Sequence, residues 1–387
     1  MSWEERDEST ATDAWSANLA TALYRPLSVL PGNFAFSPWS IAVGLAMLQA
    51  GARGETRREL EAALGHPGAS DQLIDLFGDL AAALSSCARP GPAPVELSLA
   101  NALWCQAGYP LRPALVEALR ERLGAEIREA DFAQGAAEAA RRVNDWVAEA
   151  TRQRIPEILS ESQLHPLTRV LLVNALYFKA AWRSPFDEEL TRPEPFRLPA
   201  GTRIDVPMMH RYRSARYHYA RQGSVQALAM PYLPNRLGMV ILLPDEDEFE
   251  SVQRKIGPVQ IGTLVAEMSS QEVRVSLPRF RVCSSGLSLR SPLEAIGVRT
   301  AFGAGADFSG FSTEPGFAPA DVVHGAFVEA DEQGTEAAAV TADMVMGAAF
   351  KPSKPIDFRV DRPFVFLLRD RPTGTILFMG RVVDPRE

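Results

Sequence analysis

Five histidines are the residues of this chain best suited to metal binding or acid–base work near neutral pH: His66, His165, His210, His218 and His324. None sits in an H-E-x-x-H arrangement, which would place two metal ligands and a base on one helix face. The G-x-S-x-G turn that lifts a nucleophilic serine between strand and helix is absent as well. Gly303-Ala304-Gly305-Ala306-Asp307-Phe308 imitates a dinucleotide loop, but its third glycine is missing and no strand–helix frame surrounds it, so it reads as a turn. A Ser-His-Asp set assembled from distant positions leaves no mark in one sequence, because such triads are defined by geometry rather than order. The residues therefore point away from an enzyme and from any metal or organic cofactor.

Cys87, Cys105 and Cys283 are widely spaced, odd in number and free of a C-x-x-C pair, so they predict buried, reduced thiols rather than a zinc site or a disulfide framework. Formal charge is 40 basic minus 48 acidic residues, or −8, which opposes general binding to nucleic acid. Local pairs such as Arg141-Arg142 read as a solvated helix face. No apolar run is long enough to span a bilayer, and the acidic start MSWEERDESTATDAW has no apolar core of the kind a signal peptide needs.

The elements that must position any site change in character along the chain. Ser37 can cap a helix whose first turn holds Pro38 and whose end is Gly51. Further helices are expected over 55–64 and 138–154, the latter with Val143, Trp146, Val147 and Ala150 on one face. From 169 onward strands dominate, beginning with RVLLVNALYF, an apolar run suited to a strand covered on both faces. Asn174 lies inside that run and must find polar partners there. Other strands are expected at 225–231, 237–243, 272–283, 320–329, 363–369 and 375–383, the last two joined by a hairpin through Arg371-Pro372-Thr373-Gly374. Within 272–283 the apolar positions change parity after Leu277, so Pro278 marks a bulge or a passage between sheets. Helices first and strands later, without regular alternation, give an α+β fold. No internal repeat or interdomain linker divides it, so residues 1–387 are read as one domain.

Residues 332–342, EQGTEAAAVTA, are small and free of aromatic bulk. On composition alone they suit a flexible linker, a short Ala-rich helix or an edge strand. GTEAAAVTA resembles the hinge of the serpin family, and FRVDRPFVFLL at 358–368 resembles that family's C-terminal signature. NFAFSPWSIAVGLAMLQAGARGETRREL, VNDWVAEATRQRI, RVLLVNALYFKAAWRSPF, ADFSG and VVHGAFVEADEQGTEAAA follow in the order of a serpin, so the resemblance covers about residues 10–385.

That resemblance implies three β-sheets, about eight or nine helices and an exposed reactive-centre loop near 332–357. It implies a suicide substrate that carries no cofactor, works as a monomer and forms a covalent complex with a serine protease. After cleavage the hinge would insert into the large sheet, an event that needs small side chains, and Gly334, Thr335, Ala337, Ala338, Ala339 and Thr341 supply them, while Glu336 on the other parity can face solvent. Asp343 shares the inward parity of Thr335 and departs from this demand. The seventeenth residue counted from Glu332 is Ala348, which makes Ala348-Ala349 the scissile bond and an elastase-like or subtilisin-like enzyme the target. Phe350 is the alternative and implies a chymotrypsin-like target. The resemblance further assigns Ser37, Ser40, Asn174 and His324 to a polar switch beneath the opening sheet. Trp182, Arg279 and Glu332 fall to the point where insertion begins, with an ion pair between the last two. DQLIDLFGDLAAALSSC at 71–87 lacks the basic residues with which some serpins bind heparin, so no such cofactor is expected. The family resemblance implies an extracellular setting, the lack of a signal peptide leaves a cytoplasmic one open, and the sequence does not decide between them. A carrier, chaperone or storage serpin is the alternative function.

Overall fold

The computed structural model describes residues 10–65, 70–87, 95–233, 235–314, 316–335 and 354–387. Among these lie nine α-helices: α1 (Thr10–Leu27), α2 (Pro38–Gly51), α3 (Gly54–Leu64), α4 (Ser70–Cys87), α5 (Pro113–Leu123), α6 (Ala136–Ala150), α7 (Phe249–Lys255), α8 (Pro258–Glu267) and α9 (Arg290–Ala295). The strands are β1 (Phe34–Phe36), β2 (Glu96–Gln106), β3 (Glu126–Ala130), β4 (Val170–Ala181), β5 (Arg192–Arg197), β6 (Arg203–Met209), β7 (Ala215–Gln222), β8 (Val225–Pro231), β9 (Leu237–Pro244), β10 (Ser269–Pro278), β11 (Phe280–Ser288), β12 (Pro319–Ala330), β13 (Gly334–Thr335), β14 (Ile356–Arg359), β15 (Phe364–Asp370) and β16 (Ile376–Val382).

The large sheet runs β11-β12-β4-β2-β3, with β13 paired to the far end of β4. Its central pair, β12 and β4, is parallel, whereas β4 and β2 are antiparallel. A second hydrogen-bonded path runs β1-β16-β15-β9-β8-β7-β10-β6-β5, with β14 alongside β10. Strand β10 carries the pairing from the first six of these into a small sheet of β14, β10, β6 and β5, so the expected three sheets are present with two joined edge to edge. Pro278 is the predicted passage: β10 ends on it, and Phe280 starts β11 in the large sheet.

Strand β4 shows why the apolar run at 170 is continuous. Its even positions, Val170, Leu172, Leu176, Phe178 and Ala180, pack into the main core, and its odd positions, Leu171, Val173, Ala175 and Tyr177, pack into a second core beneath α6. With both faces covered, each large side chain contributes about 1.5–3 kcal/mol of burial. Helix α2 lies across the even face so closely that a Cβ on Gly44 would stand 2.8 Å from Leu172 Cδ2. Ser37 caps this helix by accepting the Ser40 amide, and Pro38 fills its first turn, as expected.

Three expectations are corrected. The helix over 138–154 ends at Ala150, because Arg152 and Gln153 adopt left-handed backbone with φ of 53° and 64°. The stretch before 160 is less purely helical than its composition suggested, since it holds β1, β2 and β3. Cys105 is buried and free, but Cys283 is exposed. Period-two alternation along β11 explains this, for Phe280 and Val282 face the core and Cys283 falls on the outward parity. Cys87 lies outside the residues whose side chains are described.

Candidate functional site

Two polar groups stand on the large sheet, one at its middle and one at the end where β13 joins. The middle group arises from register. Asn101 of β2, Asn174 of β4 and His324 of β12 are directly paired across three neighbouring strands, forming a buried polar row at the middle of the sheet. The even parity of Asn174 aims it at the start of α2. There its amide donates to the Ser40 carbonyl (2.8 Å) and to Asn101 Oδ1. Ser40 Oγ also donates to Asn101 Oδ1 (3.2 Å). The Ser37 backbone N–H donates to His324 Nε2 at 3.0 Å. A backbone amide can only donate, so the imidazole proton sits on Nδ1, from which it is given to Asn174 Oδ1 at 2.6 Å. Burial lowers the His324 pKa to about 3, against a smaller raising effect of the Asn174 hydrogen bond. The ring is therefore neutral at physiological pH, as this tautomer requires.

All four residues expected here, Ser37, Ser40, Asn174 and His324, thus meet in one hydrogen-bonded cluster. Asn101 was missed by the sequence reading, although its signal matches that of Asn174: an amide inside the apolar stretch LSLANALW.

The second group fixes the end of β12. Glu332 is 2% exposed. Arg279 grips it with Nε at 2.7 and 2.8 Å from its two oxygens and Nη2 at 2.7 Å from Oε1. Thr191 donates to the same carboxylate. Burial pushes the Glu332 carboxyl up, but hydrogen bonds from Arg279 and Thr191 outweigh it and hold the group below its ordinary value. Trp182 stacks on Tyr232 with ring centroids 4.3 Å apart, and its indole N–H donates to the Asp331 carbonyl (3.0 Å). Its backbone N–H donates to the Gln333 carbonyl (2.8 Å). Trp182, Arg279 and Glu332 are therefore brought together around residues 331–333, and Thr191 and Tyr232 are partners that carried no signal in the sequence.

From this anchor the chain turns back on the large sheet. Gly334 pairs with Ala181 and Thr335 with Ala180, antiparallel to β4. The pairing of β12 with β4 ends at Phe327 and Tyr177, and β2 occupies the other edge of β4. Strand β13 therefore sits on the β12 side, at the mouth of the seam between the two parallel strands. Gly334 is needed there, because its φ is +151° and a Cβ would stand 2.2 Å from the Ala180 carbonyl oxygen. The remaining hinge residues Glu336, Ala337, Ala338, Ala339 and Thr341, together with Asp343, Ala348, Ala349 and Phe350, lie outside the described residues.

A parallel seam bridged by a polar row, with a two-residue strand stub at its mouth, is the layout of a serpin. The chain belongs to that family, whose model, described as serpin (serine protease inhibitor), matches residues 14–385. It is 42% identical over 366 residues to a serpin-like protein of Thermococcus kodakarensis, covering 94% of this chain and 84% of that one. It is 37% identical over 381 residues to the leukocyte elastase inhibitor of Sus scrofa, covering 96% and 99%. Among solved structures, thyroxine-binding globulin in complex with thyroxine aligns with a TM-score of 0.85 at 28% identity over 97% of this chain and 100% of that one. Serpin48 of Tenebrio molitor aligns at 0.83 and 28%, covering 99% and 100%. Among the described residues, no helix is long and apolar enough to cross a membrane and no group of histidine, cysteine or acidic side chains could hold a metal ion.

Proposed function

We propose that this protein inhibits serine proteases as a single-use substrate. The observation that carries the reading is the pairing of Gly334 and Thr335 with Ala181 and Ala180 at the mouth of the β4–β12 seam. A strand continued from this stub antiparallel to β4 would run between β4 and β12. The protease serine attacks the loop carbonyl, the peptide C–N bond breaks, and the downstream amine leaves with a proton supplied by the protease. The acylated upstream end is then free to travel. Fifteen residues from Gly334 to Ala348 span about 50 Å as a strand, enough to carry the protease across the molecule. In its path lies the polar row, whose Asn174–His324 bond must open for a new strand to enter. Ser37, Ser40, Asn174 and His324 then act as the switch that keeps the seam shut until cleavage, and Trp182, Arg279 and Glu332 as the point from which it opens.

The small residue Ala348 before Ala349 supports an elastase-like or subtilisin-like target, in keeping with the similarity to leukocyte elastase inhibitors. Phe350 would direct the loop to a chymotrypsin-like enzyme. Mixing the protein with elastase, subtilisin, chymotrypsin and trypsin tests the reading. An SDS-resistant complex and a released C-terminal peptide beginning near Ala349 are expected with the first or second. Cleaved inhibitor with fully active protease throughout the panel would refute it. The likeness to a thyroxine-bound globulin favours, as the second reading, a carrier that does not inhibit.

A further inference from the structure

The loop has two ends, and the downstream one is held as deliberately as the upstream one. Strand β14 is the first described strand after the loop. Among the described residues it pairs with β10, in four parallel rungs from Val273–Ile356 to Ser276–Arg359. The fully buried Phe358 and Val360 and an Arg274–Asp357 ion pair at 3.1 Å add to these rungs. A side-chain node completes the hold. Glu194 of β5 accepts from Arg192 Nε at 2.6 Å and His210 Nε2 at 3.0 Å, and its second oxygen lies 2.6 Å from Arg359 Nη2 of β14. His210, just past β6, turns its Nδ1 to Ser276 Oγ of β10 at 3.0 Å. One carboxylate, 11% exposed, thereby joins all four strands of the small sheet. Burial lowers the His210 pKa, although the neighbouring Glu194 charge works to raise it, so the ring serves as a neutral strut between Glu194 and Ser276.

This node mirrors the upstream anchor. A carboxylate gripped by an arginine stands at each end of the loop, Glu332 with Arg279 and Glu194 with Arg359. Both are tied to the same stretch of chain, since Ser276 and Arg279 lie three residues apart, or about 10 Å along a strand. Their consequences must differ because of covalent connectivity. Once the scissile C–N bond breaks, the hinge travels without the downstream segment, so whatever grips β14 can no longer act on insertion.

We propose that Glu194 is a positioning residue for inhibition. It fixes the downstream end of the reactive loop through Arg359, and so sets the rate of protease docking but not the partition that follows cleavage. This rests on the suicide-substrate reading above. The test uses the full-length protein and whichever protease of the panel the wild type traps. Its readouts are the second-order rate constant of inhibition and the number of inhibitor molecules consumed per protease. Glu194→Gln and Arg359→Met are expected to lower the rate constant about tenfold, the scale on which preorganising a binding loop acts, with the stoichiometry unchanged. Arg359→Lys, which keeps the ion pair, is expected to restore most of the rate. A merely structural role would move rate, stoichiometry and melting temperature together. Arg359 is 39% exposed, so Arg359→Met carries the test if Glu194→Gln fails to fold. A rate constant unchanged in Arg359→Met, or a stoichiometry that rises with its fall, overturns the assignment while leaving the inhibitor reading intact. A wild type that traps no protease overturns both.

Discussion

Glu332 and His324 are buried groups that hold opposite charge states for one reason, the partners the fold supplies. Glu332 stays ionised because Arg279 and Thr191 satisfy it, whereas His324 meets a backbone donor and an amide oxygen and stays neutral. Removing Arg279 leaves a nearly buried carboxylate with only Thr191. Arg279→Met should therefore destabilise the protein by about 2 kcal/mol, after allowance for the half-exposed guanidinium. Chemical denaturation at pH 7 measures it, and the loss should shrink as pH falls through the depressed Glu332 pKa and the carboxyl becomes neutral. For His324 the sign is set by a folded pKa of about 3, below the unfolded value near 6.5. Between these values the unfolded chain binds the additional proton, so the stability due to this group is complete above the upper value and drains away on acidification. His324→Gln should flatten the fall in stability from pH 6 to pH 4 by up to about 1.4 kcal/mol per pH unit. Equal slopes for wild type and variant would show that the ring is not held neutral.

At the scale of elements, β13 is two residues long and depends on a backbone that only glycine tolerates. Gly334→Ala would drive a methyl into the Ala180 carbonyl and the Trp182 amide, so the stub must lift away from β4. The Trp182 N–H bonded to Gln333 would then lose its acceptor. Hydrogen exchange should show that amide exchanging at least about tenfold faster, while amides of the β2–β4 pairing keep their protection. Loss of protection along the whole of β4 would instead mean that the stub holds the sheet together. Helix α6 and the segment after it bear on the same sheet from the odd face of β4. Ile155 and Ile158 pack over Gly325 of β12, where a Cβ would meet their methyl groups at 3.2 and 3.1 Å. Asn144 fixes that segment by accepting from the Ile158 and Leu159 amides, so β12 is backed there by a segment tied to α6.

For the molecule as a whole, the proposed mechanism requires that the intact fold be less stable than the cleaved one. An inserted strand would complete the large sheet and release stored strain, and serpin loop insertion is a general instance of that device. Cleavage within 336–353 should accordingly raise the melting temperature by tens of degrees, read by calorimetry on intact and nicked protein. A nicked form that melts no higher would favour the carrier reading. The same insertion gives Asp343 its cost, because a carboxylate on the inward parity must leave water. Asp343→Val should lower the number of inhibitor molecules consumed per protease, which titration against a trapped enzyme measures.

Local patterns in the chain reveal α2, α3, α6 and the later strands β4, β8–β12, β15 and β16, together with the small residues a strand-accepting sheet needs. The change of parity at Pro278 marked a bulge or a passage between sheets, which the sheet order resolves as a passage, and an amide inside RVLLVNALYF marked Asn174 as a residue that needs partners. These are local signals, carried by period-two patterns and by the rule that buried polar groups are paired. Resemblance then named the partners Ser37, Ser40 and His324, and the structure brings them together. Only the tertiary structure could add Asn101 to that row, Thr191 to Glu332, and the Glu194–His210–Arg359 node to the small sheet. Asn101 lies 61 residues from Ser40 and 73 from Asn174 in the chain. Pairings at such separations are set by strand register and by the edge on which each strand docks, and no periodicity within a segment encodes them.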